Sequence, residues 1–244
     1  MIVTHPKIAT LLPEWALFQG FSLILEGRQP DGGPFSPDAA TAGTLARIAA
    51  MLQEFGHDRL MRGLLLCLLP PETHHVTFAD LLHQGQLGQV QAGAKEQLAQ
   101  TLQSADGGAL LRHILHEEGP APGAPLALRI GGLTRLGGSV AALTLQPLPA
   151  ETGPDPWPAA LGWRARVLQR VTAATGLQPP PFRPHLTLGY FANPGLVAED
   201  NATLAALSVA VEAQVRGAVL SWAGVGLYRF ASMAQFCRLA GLTP

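Results

Sequence analysis

Two tetrapeptides, His75-Val76-Thr77-Phe78 and His185-Leu186-Thr187-Leu188, split this chain of 244 residues into halves that repeat one another coarsely. Each half presents a helix, then a proline-bearing loop, then a strand that carries His-apolar-Thr-apolar. Successive side chains of a strand point to opposite faces. His75 and Thr77 are therefore expected on one face, with Val76 and Phe78 on the other, and the second copy repeats the pattern. An imidazole and a hydroxyl stand side by side on each strand, backed by apolar residues that hold them rigid.

The rest of the chain reads as alternating strands and helices. Strands are expected over Ala16–Leu25, Leu64–Leu69, Thr73–Ala79, Leu126–Gly131, Val140–Leu145 and Phe182–Phe191, with two short ones within Val219–Phe230. Helices are expected over Ala40–Phe55, Ala159–Thr175 and Asn201–Val215. Gln29–Pro37 and Pro147–Pro158 read as loops, and Gln84–Gly123 as a helical insertion broken at Gly107-Gly108. No glycine-rich phosphate loop appears, so an α+β architecture of mostly antiparallel sheet is favoured over a dinucleotide-binding fold. No Pro/Gly/Ser linker is long enough to separate independent units, so residues 1–244 are expected to form one domain.

Composition narrows the classes of partner. The chain is 48% hydrophobic and 14% charged, with a formal net charge of −1. Plentiful, evenly spread apolar residues exclude disorder, and near-neutrality argues against tracking long nucleic acid by phosphate neutralisation. The two cysteines, Cys67 and Cys237, are too few for a disulfide framework or a cysteine zinc site. No signal peptide and no run long enough to span a bilayer are visible. A cytoplasmic protein away from membranes, and a monomer, are the expectation.

Two facing imidazoles with two hydroxyls suit phosphodiester cleavage. One neutral imidazole takes a proton from water while the other, protonated, gives one to the departing oxygen. The threonine hydroxyls donate to non-bridging phosphate oxygens. The set requires no metal and no cofactor, and which histidine is acid and which base stays open.

The paired motifs on a duplicated α+β scaffold resemble the 2H phosphoesterase superfamily, which includes cyclic nucleotide phosphodiesterases and LigT-like RNA 2′,5′-ligases. The lead-ins Leu69-Pro70-Pro71 and Phe182-Arg183-Pro184 are similar too, and the tail from Leu227 to Phe236 resembles a poorly characterised bacterial branch. The resemblance implies a LigT-like bilobal fold, with duplicated antiparallel sheets, helices outside and a central cleft. It implies catalytic His75 and His185, phosphate-binding Thr77 and Thr187, and a 2′,3′-cyclic phosphate of a nucleotide or RNA end, or a related cyclic phosphate, as substrate. The alternatives are a relative that binds or ligates RNA ends and a non-catalytic small-ligand binder. The insertion at 84–123 lengthens the spacing between the motifs and is a candidate cap for the cleft.

Other residues are weighed against these. Arg183 shares parity with His185 and is a candidate phosphate contact. Arg129, Arg135 and Arg229 are further candidates from other strands. His74 has the wrong parity and reads as structural, with a hydrogen-bond role; Tyr190 reads as core. His113 and His116, one turn apart on a helix, lack a third ligand and the HExxH pattern, so a polar helix end is the better reading.

Overall fold

The computed structural model describes residues 3–10, 14–27, 35, 37–104, 106–178, 180–198 and 201–242. Its strands are β1 (Ile8–Thr10), β2 (Glu14–Trp15), β3 (Gly20–Glu26), β4 (Leu66–Leu68), β5 (Thr77–His83), β6 (Leu126–Leu136), β7 (Val140–Leu148), β8 (His185–Phe191), β9 (Val219–Trp222), β10 (Gly224–Ser232) and β11 (Gln235–Gly241). Its helices are α1 (Ala39–Phe55), α2 (His57–Leu64), α3 (Ala92–Gln103), α4 (Ala109–Glu118), α5 (Pro156–Thr175) and α6 (Ala202–Gln214).

The strands form a β1-β2 pair and two larger sheets. One runs β11-β10-β3-β5 and the other β4-β8-β7-β6-β9, with every neighbouring pair antiparallel. The expected α+β architecture is present, and the motif strands β5 and β8 belong to different sheets. Helices cover the outside. α5 packs behind β5, and α1 and α6 pack behind β9 and β6. The halves interleave, because β4 joins the sheet of the second motif while β10 and β11 join that of the first.

Local signals set the helix ends. Asp38 accepts the Thr41 N–H at 2.7 Å to cap α1, and Asp155 caps α5 ahead of Pro156 in its first turn. Gly176, at φ 73°, ends α5 in the left-handed conformation that glycine tolerates best. Helix α5 therefore begins three residues before the expected Ala159.

Several other boundaries differ. The first large strand starts at Gly20 rather than Ala16, because Glu14–Trp15 pairs separately with β1. Residues 57–64 form a helix, and Leu65 turns in the left-handed region at φ 51° before the short β4. Pro71–Thr73 is a 3-10 turn, so strand pairing in the first motif starts only at Thr77 and continues to His83. The second motif strand likewise starts at His185, not Phe182. Hairpin β6–β7 is longer than expected and turns at residues 137–139. Strand β11 was not expected. The Gln29–Pro37 loop falls, apart from Phe35 and Pro37, outside the described residues.

The insertion does not cap the cleft. Leu98, Leu102, Leu111, Ile114 and Leu115 are buried in the main core. Arg229, on the face of β10 that packs over Phe21, donates to the Leu102 carbonyl at 3.0 Å. Glu117 and Glu118 at the end of α4 pair with Arg166 and Arg170 of α5. The helices α3 and α4 thus back the first sheet, on the side away from Ser22 and Tyr228.

Candidate active site

Bulges aim the motif strands. Ile24 pairs with Thr77 but Leu23 pairs with Ala79, and Ser22 pairs with Asp80 but Phe21 pairs with Leu82. Phe78 and Leu81 are therefore extra residues on β5, and each resets the alternation. Thr77, Asp80 and His83 all reach one face, which is why burial along the strand repeats every third residue instead of every second. Phe78 turns inward against Trp163 and Phe182.

Strand β8 has one such bulge. Ala142 pairs with Thr187 and Ala141 with Gly189, leaving Leu188 extra. His185, Thr187 and Tyr190 consequently share a face. The bend is accommodated by close approach to β4: a Cβ on Gly189 would lie 2.4 Å from the Cys67 carbonyl oxygen. Tyr190 is buried as expected, but in a second apolar cluster with Phe18, Phe230 and Met233 that joins the two sheets on their inner faces.

His75 and His185 are held alike. The ring Nδ1 of His75 lies 2.7 Å from the Thr73 carbonyl oxygen, and that of His185 lies 2.8 Å from the Arg183 carbonyl oxygen. A carbonyl only accepts, so each Nδ1 carries hydrogen and each Nε2 is left with a lone pair in the neutral ring. Both rings are half-buried. His75 lies between Phe35 and Phe236, each ring centroid 4.8 Å away. Burial pushes its pKa down to about 4; the Thr73 carbonyl and Asp80 oppose the shift, and charge on His185 or Lys7 adds to it. His75 is neutral at pH 7, and the two imidazoles are close enough for charge on one to act on the other.

Thr77, Asp80, His185 and Arg183 line one groove of about 220 Å³, closed by Arg164 and the Leu136-Gly137 hairpin. Thr187 is half-buried on the face of His185, and Arg183 is exposed. Of the five candidate residues of the motifs and lead-in, Thr77, His185 and Arg183 share this groove, while His75 and Thr187 are not among the residues that line it.

Other candidates lie elsewhere. Arg135 donates to the carbonyls of Gly138, Pro194 and Val197, and Arg229 is committed to Leu102 behind the sheet. Arg129 is exposed on β6 beside β9. His74 is 2% exposed with neither ring nitrogen hydrogen-bonded, so it makes no polar contact to its neighbour; burial lowers its pKa to about 4. His113 meets Glu117 across one helical turn at 3.4 Å. Among the described residues no group of three His, Cys, Asp or Glu side chains is placed to hold a metal.

Three polar residues of the cleft escaped the sequence reading. Asp80 accepts from Ser22 Oγ at 2.9 Å, and its charge favours protonation of His75. Arg164 of α5 donates to the Phe78 carbonyl at 2.6 Å and the Pro180 carbonyl at 3.3 Å, tying β5 to the lead-in of β8. Lys7, one of two lysines in the chain, extends its ammonium to the Tyr190 hydroxyl. Only the scarcity of lysine could have drawn notice to it.

No protein-family model and no curated protein matches the sequence. Solved structures do. E. coli LigT in its apo form aligns over 94% of this chain and 100% of its own, at 13% identity and a TM-score of 0.47. TT0787 of Thermus thermophilus aligns over 91% and 96%, at 18% identity and a TM-score of 0.48. The conserved protein of unknown function ATU0111 from Agrobacterium tumefaciens str. C58 aligns over 98% of this chain and 91% of its own, at 15% identity and a TM-score of 0.59. The chain shares its fold with ATU0111 along nearly its whole length.

Proposed function

We propose that this chain is a phosphoesterase of the 2H type that opens a cyclic phosphodiester by adding water. The substrate class is a 2′,3′-cyclic phosphate on a nucleotide or RNA end, or a related cyclic phosphate. His75 is the base: its neutral Nε2 takes a proton from water as the water oxygen bonds to phosphorus. His185 is the acid: its Nε2–H protonates the ribose oxygen as the P–O bond to it breaks, leaving a ring-opened phosphomonoester. Thr77 and Thr187 donate to the non-bridging oxygens, and the exposed guanidinium of Arg183 draws the anion in. Both protons travel through imidazoles, so the reading calls for no metal.

The observation that carries it is the matched tethering of two imidazoles by their Nδ1 atoms, which leaves both Nε2 edges for chemistry. The test is turnover of a 2′,3′-cyclic mononucleotide by the purified protein in EDTA. His75→Ala and His185→Ala are each expected to cost about 10²-fold or more. Turnover that survives both substitutions overturns the assignment. Tight binding without turnover by the unaltered protein would instead make it a ligand-binding module.

A further inference from the structure

Lys7 is the unexplained charge in the cleft. The backbone N–H of Lys7 donates to His5 Nδ1 at 3.2 Å, and His5, 7% exposed, packs its ring 4.9 Å from that of Tyr190. The ammonium stands 4.8 Å over the Phe18 ring and 4.7 Å over the Tyr190 ring, and donates to the Tyr190 hydroxyl at 3.2 Å. That hydroxyl is itself committed to Met233 Sδ. Among the described residues no carboxylate lies within ion-pair distance of Lys7. A half-buried cation set between two aromatic faces is oriented, but its charge is left uncompensated.

Position defines what the charge meets. Lys7 touches Tyr190, on the same face of β8 as Thr187 and, with the bulge at Leu188, two residues of β7 further along, about 7 Å of strand. One phosphate held between His75 and His185 does not fill that span. The same ammonium is near enough to both His75 and His83 for its charge to bear on them.

We propose that Lys7 is a specificity residue that binds a second phosphate of the substrate, distinct from the one being opened. The preferred substrate is a cyclic phosphate that also carries a phosphomonoester at its far end. This inference rests on the phosphoesterase reading for its chemistry, though not for its binding.

The experiment compares a 2′,3′-cyclic mononucleotide with the same compound bearing a 5′-phosphate, using the unaltered protein, Lys7→Met and Lys7→Arg. The 5′-phosphate is expected to lower KM for the unaltered protein. In Lys7→Met the ratio of kcat/KM between the phosphorylated and unphosphorylated compounds should fall by about tenfold or more, through KM, with Lys7→Arg restoring part of it. A ratio unchanged by Lys7→Met overturns the proposal even if overall activity drops. If the unaltered protein turns over neither compound, the phosphoesterase reading fails alone, and calorimetric binding of the two compounds takes over. Selective loss of affinity for the phosphorylated one in Lys7→Met then supports the second site, and equal affinities refute it.

Discussion

The Nδ1 of His75 and the Nδ1 of His185 make the same hydrogen bond, each to the carbonyl oxygen two residues earlier, Thr73 at 2.7 Å and Arg183 at 2.8 Å. This bond fixes ring orientation and tautomer without a carboxylate partner. His75→Asn retains an amide able to reach the Thr73 carbonyl but presents nothing where Nε2 stood. It should keep a melting temperature closer to the unaltered protein than His75→Ala does, while hydrolysis falls by about 10²-fold or more. Near-full activity in His75→Asn would remove His75 from the chemistry.

Stability should fall on the acid side. Burial is the leading cause that lowers His5, His74 and His75 to about 4 from an ordinary 6.5. Unfolded rings bind protons that the folded ones refuse, so full stability is present above about pH 6.5 and is lost as pH falls toward 4. The almost fully buried pair His5 and His74 each add a slope of about 1.4 kcal/mol per pH unit in that window. Urea midpoints measured from pH 8 to pH 4 should decline, and His74→Leu should flatten the decline. A midpoint insensitive to pH across this range contradicts the burial of these rings.

Arg164 joins the lead-in of one motif to the strand of the other through two carbonyls. Arg164→Met keeps most of the apolar stem against Phe182 but strips both acceptors of their donor. A loss of about 1–3 kcal/mol is expected by chemical denaturation, together with a fall in kcat/KM as the two histidines lose registration. An unchanged denaturation midpoint would show that the brace is dispensable.

Tyr228 links Phe35 of the proline-glycine loop to the floor of the first sheet. Its hydroxyl accepts the Phe35 N–H at 3.2 Å and donates to Glu26 at 2.8 Å, while Arg238 grips the same carboxylate with two bonds. Burial and the Glu26 charge both raise the Tyr228 pKa, so the phenol stays protonated at any working pH. Tyr228→Phe leaves a buried N–H without its acceptor and should cost about 1–3 kcal/mol. Because Phe35 forms one wall of His75 at a left-handed φ of 68°, activity should drop too. Calorimetric melting with steady-state rates would check both, and no change in either speaks against the link.

The large features were legible because they rest on periodicity and on capping. The spacing of Ile48 and Leu52 marks α1, and the two His-x-Thr stretches mark the strands that meet at the cleft. The bulges were not legible, since Phe78, Leu81 and Leu188 are ordinary apolar residues that a straight strand would also accept. Strict alternation therefore missed Asp80 and turned Tyr190 to the wrong face. The β11 strand lies at a sheet edge, where its apolar residues Phe236, Leu239 and Ala240 are only partly buried and no strict alternation marks it. Lys7 lies 183 residues from Tyr190, whose hydroxyl it meets, a contact local reasoning does not reach.

Single extra residues in β5 and β8 also bear on how such a cleft diversifies. A one-residue insertion or deletion in either strand exchanges which downstream side chains look inward while His-x-Thr itself is left intact. Lineages carrying the same pair of motifs can thus acquire quite different linings by length change alone, without any substitution. Comparing relatives position by position, with gaps treated as noise, would overlook the very events that retune what the cleft accepts.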